Sequence, residues 1–139
     1  MSSHARPRPQ AERQTGAAGG RSPEDVIASH LRLRDAGELD RDLEANYSPD
    51  IVVIDRHRVY RGHAGVRESA AILTRSVPGA RFEYDRVLTC GDLAYLVWRA
   101  VDGRMCAQGV DSFIVRDGKI EGQTIYYHVE RTNSPDQSA

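Results

Sequence analysis

RFEYDRVLTCGDLAYLVWRAVDGRMCAQGVDSFIVRDGKIEGQTIYYHVE, residues 81–130, is four stretches rich in β-branched and aromatic residues punctuated by three Gly/Asp pairs. Gly91-Asp92, Asp102-Gly103 and Asp117-Gly118 suit two-residue hairpins, because these residues accept a positive φ at little cost. The stretch predicts four antiparallel strands: Arg81 to Thr89, Leu93 to Val101, Met105 to Val115 and Ile120 to Glu130. A meander of this length is stable only when one of its faces is covered, so the cover must come from the residues upstream.

Upstream, Ser22-Pro23-Glu24-Asp25 opens a helix: Ser22 as N-cap, Pro23 at the first helical position, and two acids at the positive end of the helix dipole. Val26, Ile27, His30, Leu31 and Arg34 recur at helical spacing until Gly37. A second short helix presents Leu39, Leu43 and Tyr47 and stops at Ser48-Pro49-Asp50. Ile51 to Asp55 is β-branched and reads as a strand. A third helix runs from about Ala64 to Ser76, with Val66, Ala70 and Leu73 inward, and Pro78-Gly79 closes it. The order α-α-β-α-β-β-β-β predicts one α+β domain, a curved antiparallel sheet covered by three helices.

The chain has 139 residues, enough for one domain. Residues 1–21 carry four Arg against Glu12, net +3, with almost nothing apolar to bury; they predict a basic, disordered tail. Pro7, Pro9, Gly16, Gly19 and Gly20 spoil the amphipathic helix that an organelle transit peptide would need. The domain is expected over residues 22–131, with a flexible C-terminus at 132–139. A net charge of −1 with 28% charged residues excludes the basic excess of a nucleic-acid binder. Arg56-His57-Arg58 with Arg61 is a local basic cluster that a solvated loop explains. No apolar run nears the roughly 20 residues of a membrane-spanning helix, so no membrane partner is expected. Lys119 is the only Lys beside eighteen Arg, as a GC-rich bacterial genome would produce.

Cys90 and Cys106 are too few for a disulfide framework, which points to free thiols in a reducing, cytoplasmic setting. The five His are scattered without the H-x-x-x-H spacing of a zinc site, and no phosphate loop, G-x-S-x-G elbow or C-x-x-C is present. No metal is expected.

Two carboxylates stand out by strand parity. Ile51, Val53 and Asp55 share one face of the first strand, and Gly109, Asp111, Phe113 and Val115 share one face of the penultimate strand. A carboxylate aligned with a core face is costly unless paired or protonated, and such groups have raised pKa values. Two inward acids around one pocket would suit proton transfer near neutral pH. Each has a plain alternative: Asp55 as a turn former or partner of Arg56, Arg58 or Arg61, and Asp111 as a structural hydrogen-bond acceptor. His30, among Val26, Ile27, Leu31 and Leu33, also reads as a satisfied core residue. Tyr127 shares a face with Gln123 and Ile125 and could line the same pocket. The opposite surface, expected to carry Tyr84, Leu96, Trp98 and Tyr126, would expose more apolar area than monomers tolerate, which predicts a homodimer.

This element order, with Ala36-Gly37-Glu38-Leu39-Asp40 between the first helices and Asp117-Gly118-Lys119-Ile120 before the last strand, resembles the nuclear-transport-factor-2-like (NTF2-like) superfamily. Within it the chain is similar to the SnoaL-like polyketide cyclases and the steroid Δ-isomerases over about Ser22 to Glu130. The resemblance implies a cone with an apolar pocket lined by residues such as Val53, Phe113, Val115 and Tyr127. It places Asp55 where the isomerases keep a general base, Asp111 where they keep a protonated acid that donates to the substrate oxygen, and His30 near their Tyr donor. It implies a small enzyme of cofactor-free isomerisation or cyclisation on an apolar, carbonyl-bearing ligand, polyketide or steroid-like. A non-catalytic ligand-binding or dimerisation module is the alternative, since the fold hosts both. Arg99 resembles the strand Arg of the epoxide-hydrolase branch, but Val101 stands where that branch carries its acid. The larger cyclases' Pro-Thr-Gly loop is also missing from Arg104-Met105-Cys106-Ala107-Gln108.

Overall fold

The computed structural model describes residues 20–132. Three helices, α1 (Pro23–Asp35), α2 (Leu39–Asn46) and α3 (Gly62–Ser76), accompany six strands: β1 (Tyr47–Ile54), β2 (Val59–Arg61), β3 (Arg81–Cys90), β4 (Leu93–Val101), β5 (Met105–Arg116) and β6 (Lys119–Arg131). They form one curved, unclosed sheet in the order β2-β1-β6-β5-β4-β3 with the helices packed on its concave face, the NTF2-like α+β cone. Two features depart from the sequence reading. Val59–Arg61 adds a short edge strand, and β1 runs parallel to β6, so the sheet is mixed rather than wholly antiparallel.

Local chemistry accounts for the boundaries. The Ser22 hydroxyl accepts from the Asp25 amide at 3.1 Å while the Asp25 carboxylate accepts from the Ser22 amide, the reciprocal box that starts α1. Gly37, at φ 73°, turns the chain out of α1. Tyr47 is not helical as its spacing with Leu43 suggested; it already has extended backbone, and Pro49 sits where β1 shifts register against β6. The hairpin turns fall at the three Gly/Asp pairs.

The core lies between the concave face and the helices: Val26 and Ile27 of α1, Leu43 of α2, Tyr47, Ile51 and Val53 of β1, and Phe113, Val115 and Ile120 of the meander are each at most 2% exposed. The expected N-terminal tail falls almost wholly outside the described residues. Its inner end, Arg21, donates to Asn46 Oδ1 and Ala45 O at 2.7 Å and to Gly118 O at 2.8 Å, tying α2 to the β5–β6 turn. The expected flexible C-terminus, apart from Thr132, also lies outside them.

One expectation about the sheet is corrected. Leu96 and Trp98 are 3% and 4% exposed and face inward, and Tyr84 joins them, so only Tyr126 of the four aromatic and aliphatic residues assigned to the outer face is found there. The outer face is instead Leu93, Tyr95, Ile114, Ile54 and Tyr126. In β4 the inward set is Ala94-Leu96-Trp98-Ala100 and the outward set Leu93-Tyr95-Val97-Arg99-Val101, so Arg99 alone marked the outer phase in an otherwise apolar strand.

Candidate functional site

A cavity of about 320 Å³ opens between α1, α3 and the concave sheet. Its apolar wall includes Leu31, Val53, Val66, Ala70, Leu73, Phe82, Leu96 and Ile125, and its polar groups include His30, Arg34, Tyr47, Trp98, Asp111, Gln123 and Tyr127. A volume of this size with few converging polar groups is the usual form of a small-molecule site.

Asp111 is the acid at its centre, brought inward by the parity of β5 and 7% exposed. Trp98 Nε1 donates to its Oδ1 and Gln123 Nε2 to its Oδ2, both at 2.9 Å, and the Tyr47 hydroxyl donates to Gln123 Oε1 at 2.8 Å. Every donor in this chain points toward Asp111, which makes the carboxylate the acceptor at its end. Burial pushes its pKa up from 3.8 to about 6, against the pull of the Trp98 and Gln123 hydrogen bonds and the positive fields of His30 and Arg34. Burial also raises the Tyr47 hydroxyl, which therefore stays a neutral donor. Trp98 reaches Asp111 because Gly109 has no side chain: a Cβ there would lie 2.3 Å from the indole ring.

His30 faces the same cavity from α1. Its Nδ1 lies 2.8 Å from Oδ2 of Asp42 on α2, which is 0% exposed and accepts from Asn46 Nδ2 at 2.8 Å on its other oxygen. With Nδ1 turned to Asp42, Nε2 is the ring nitrogen that meets the cavity. The ring is held edge-on by Tyr47 and Phe113, each with its centroid at 5.6 Å.

Asp55 is not brought together with Asp111 and His30. It ends β1 at a turn, where its Oδ1 accepts from the amides of His57 (2.8 Å) and Arg58 (2.9 Å) and its Oδ2 from the Tyr60 hydroxyl (2.9 Å). It lines a separate cleft with Arg56, His57, Tyr60 and His128, sharing only Ile125 and Tyr127 with the first cavity. Burial alone would raise its pKa; the two amides and the hydroxyl outweigh it and hold the carboxyl below its ordinary value. That is the turn-forming alternative for this residue, and it makes Asp55 a weak base.

Of the expected lining, Val53 and Tyr127 face the cavity. Phe113 and Val115 share the face of Asp111 but lie farther along β5, packed in the core. Arg99 is on the outer face, held by Glu83 at 2.8 Å and Asp85 at 3.1 Å. Asp42, Trp98, Gln123 and Tyr47 were not read as site residues from sequence. Asp42 and Asn46 had a signal: with Leu39 and Leu43 they complete an i, i+3, i+4, i+7 stripe, so two polar residues stand at buried positions of a helix. Among the described residues no group of three or more His, Cys, Asp or Glu is placed to hold a metal, and no helix is long and apolar enough to cross a membrane.

Residues 27–123 match the family model described as the SnoaL-like domain. No match is found among curated proteins. Among solved structures, an NTF-2-like protein of unknown function from Burkholderia xenovorans LB400 is 20% identical with a TM-score of 0.64, covering 84% of this chain and 90% of its own. A candidate SnoaL-like polyketide cyclase from Mesorhizobium loti is 18% identical with a TM-score of 0.61, covering 77% and 100%. IdmH, a candidate polyketide cyclase from Streptomyces antibioticus, is 19% identical with a TM-score of 0.64, covering 77% and 92%. At such identities the likeness shows the fold alone.

Proposed function

The chain belongs to the SnoaL-like domain family, and on that premise we propose that it is an enzyme of proton transfer, isomerising or cyclising an apolar ligand that bears a carbonyl group. The observation that carries the reading is the placement of Asp111, a buried acid with a pKa of about 6, in one apolar cavity with a histidine backed by Asp42. Asp111 takes the proton from the carbon beside the carbonyl, becoming the neutral acid while the electron pair moves onto oxygen. His30, in its protonated form, gives its Nε2 proton to that oxygen. Isomerisation follows when Asp111 returns the proton at another carbon of the conjugated system and His30 recovers its own. Cyclisation follows when the enol carbon attacks a second carbonyl, the enol O–H proton returning to His30 as its carbonyl re-forms, and neutral Asp111 gives its proton to the new alkoxide. The roles differ from those the family resemblance implies: Asp111 is the base rather than the oxygen donor, and Asp55 takes no part.

The competing reading, a ligand-binding module without turnover, is favoured by one observation: both Asp111 oxygens already have donors. Exchange of the α-protons of cyclic enones with D₂O, followed by NMR, separates the two. The catalytic reading expects exchange that slows about 10²-fold or more in Asp111→Asn; equal exchange in both proteins would remove it.

The proposal includes a homodimer formed through the outer face. Leu93 pairs with Ile114 and Leu88 with Tyr95 across neighbouring strands, and these four residues are 37–59% exposed. The free thiols Cys90 and Cys106 fit a reducing, cytoplasmic setting.

A further inference from the structure

Resting on the reading of this cavity as a substrate site, we propose that its ligand carries an anionic oxygen, a carboxylate or an ionised acidic enol, and that Arg34 recognises it. Arg34 follows His30 by one turn of α1 and lines the same cavity, so both side chains lie on one helix face. The His30 side chain is 6% exposed and the Arg34 side chain 29%, so α1 runs from the enclosed depth toward the rim.

At that rim the guanidinium is short of acceptors. Its nearest carboxylate oxygen is Asp42 Oδ2 at 3.9 Å, beyond hydrogen-bond reach, and the two Asp42 oxygens are engaged by His30 and Asn46 at 2.8 Å each. The adjacent Asp35 is turned to the Tyr84 hydroxyl at 2.8 Å. Among the described residues none accepts a hydrogen bond from Arg34, although far more exposed arginines do find partners: Arg67, Arg81 and Arg99 each hold a carboxylate at 2.7–2.8 Å. The guanidinium, on a side chain 29% exposed, has its charge balanced at 3.9 Å by the buried Asp42 but its five N–H donors unpaired among the described residues, and its planar fork matches a carboxylate. Its positive field reaches Asp111, Tyr47 and Tyr84, the other polar walls. The arrangement orients a ligand: anionic oxygen at the rim on Arg34, apolar body inward, reacting carbon at Asp111.

Calorimetry near neutral pH with 2-naphthoate and its neutral, nearly isosteric ketone 2-acetylnaphthalene tests this on the full chain. The expected result is a preference of about tenfold or more for the naphthoate. Arg34→Leu, which keeps an apolar stem against the wall, should abolish that preference and leave the ketone's affinity essentially unchanged. Arg34→Gln serves the same purpose should Arg34→Leu fail to fold. Equal affinities in the parent protein, or a preference that survives loss of the guanidinium, overturns the inference; a fork merely wetted by solvent gives that result. Silence from both compounds overturns the cavity as an apolar-ligand site and the inference with it. A clear anion preference without catalysed α-proton exchange leaves Arg34's role standing and removes only the catalytic reading.

Discussion

His30 Nδ1 and Asp42 Oδ2 stand 2.8 Å apart inside the protein, and this contact joins α1 to α2 directly behind the cavity. It does two things at once. It satisfies a carboxylate with no solvent exposure, and it dictates which ring nitrogen the cavity meets. Asn46 completes the support: it donates to Asp42 on one side and accepts from Arg21 on the other. Stability and chemistry therefore share one pair of residues.

Removing one member of a buried pair strands the other. Asp42→Ala should lower stability by roughly 3 kcal/mol, measured by urea unfolding. Asp42→Asn keeps an oxygen for Nδ1 and should cost less, yet it removes the carboxylate that backs His30. In the catalytic reading the Asn variant loses turnover out of proportion to its loss of folded protein. If activity per folded molecule is unchanged, His30 is not the proton donor.

Gly109 lacks a side chain where Trp98 needs room. Gly109→Ala would press a methyl group into the indole, and relieving it means moving the donor that faces Asp111. The expected loss is about 1–3 kcal/mol by thermal or chemical unfolding. Because the Trp98 hydrogen bond lowers the pKa of Asp111, its weakening should move the acid limb of any activity profile to higher pH. A limb that stays in place would mean the indole does not tune the carboxylate.

For Asp55 the expectation is structural. Asp55→Ala deletes the acceptor of two amides and one hydroxyl at a turn and should cost on the order of 1 kcal/mol. Its folded pKa lies below the unfolded value. The stability it contributes is therefore present above the unfolded pKa and lost as pH falls through the folded one. Turnover per folded molecule should not change. A stable but inactive Asp55→Ala would restore this residue to the chemistry.

Much of this architecture was legible because it rests on local signals. Ser22, Gly37 and the Gly/Asp turn pairs each fix a helix end or a hairpin by their own backbone chemistry. The parallel pairing of β1 with β6 was not, since the direction of pairing is decided by how the chain crosses the cone rather than by either strand's composition. The site divides in the same way. Strand parity brought Asp111 inward through its shared face with Phe113 and Val115, whereas β4 carries apolar residues on both faces, and its one charged residue, Arg99, was the only mark of the outer side opposite Trp98. Asp55 lies one residue beyond the last paired position of β1, where the turn rather than parity sets its direction.

The outer face offers a test of assembly. Light scattering at tens of micromolar should give a dimer, and Leu93→Glu or Tyr95→Glu should give a monomer with little change in folding, since both side chains are exposed in the single chain. A monomer at that concentration would mean these residues face only solvent.

The pH dependence of stability is the most direct probe of Asp111. Its folded pKa of about 6 lies above its ordinary value of 3.8, so between these values the folded state binds more protons than the unfolded one. Stability should then be greatest near the lower value and fall as pH rises through about 6, by an amount on the order of 3 kcal/mol. The Asp55 carboxyl acts in the opposite sense, but its folded pKa lies below the ordinary 3.8, so its change falls at lower pH. Asp111→Asn isolates the effect. The amide oxygen still accepts from Trp98, and Gln123 must rotate so that its own oxygen accepts from the new NH₂ group, at the expense of the bond from Tyr47. The variant should hold its stability at neutral pH within about 1 kcal/mol of the parent, because loss of a buried charge offsets the lost hydrogen bond. Its stability curve should be flatter than the parent's between about pH 4 and 6. Activity moves the other way: as a base Asp111 works only when ionised, so kcat/KM should rise through about pH 6 even as stability declines. Opposite slopes over one pH interval, both removed by the same substitution, would tie the chemistry to this carboxyl. A parent stability curve no steeper than that of Asp111→Asn would show that Asp111 is ionised at its ordinary pKa and is not the perturbed acid the mechanism requires.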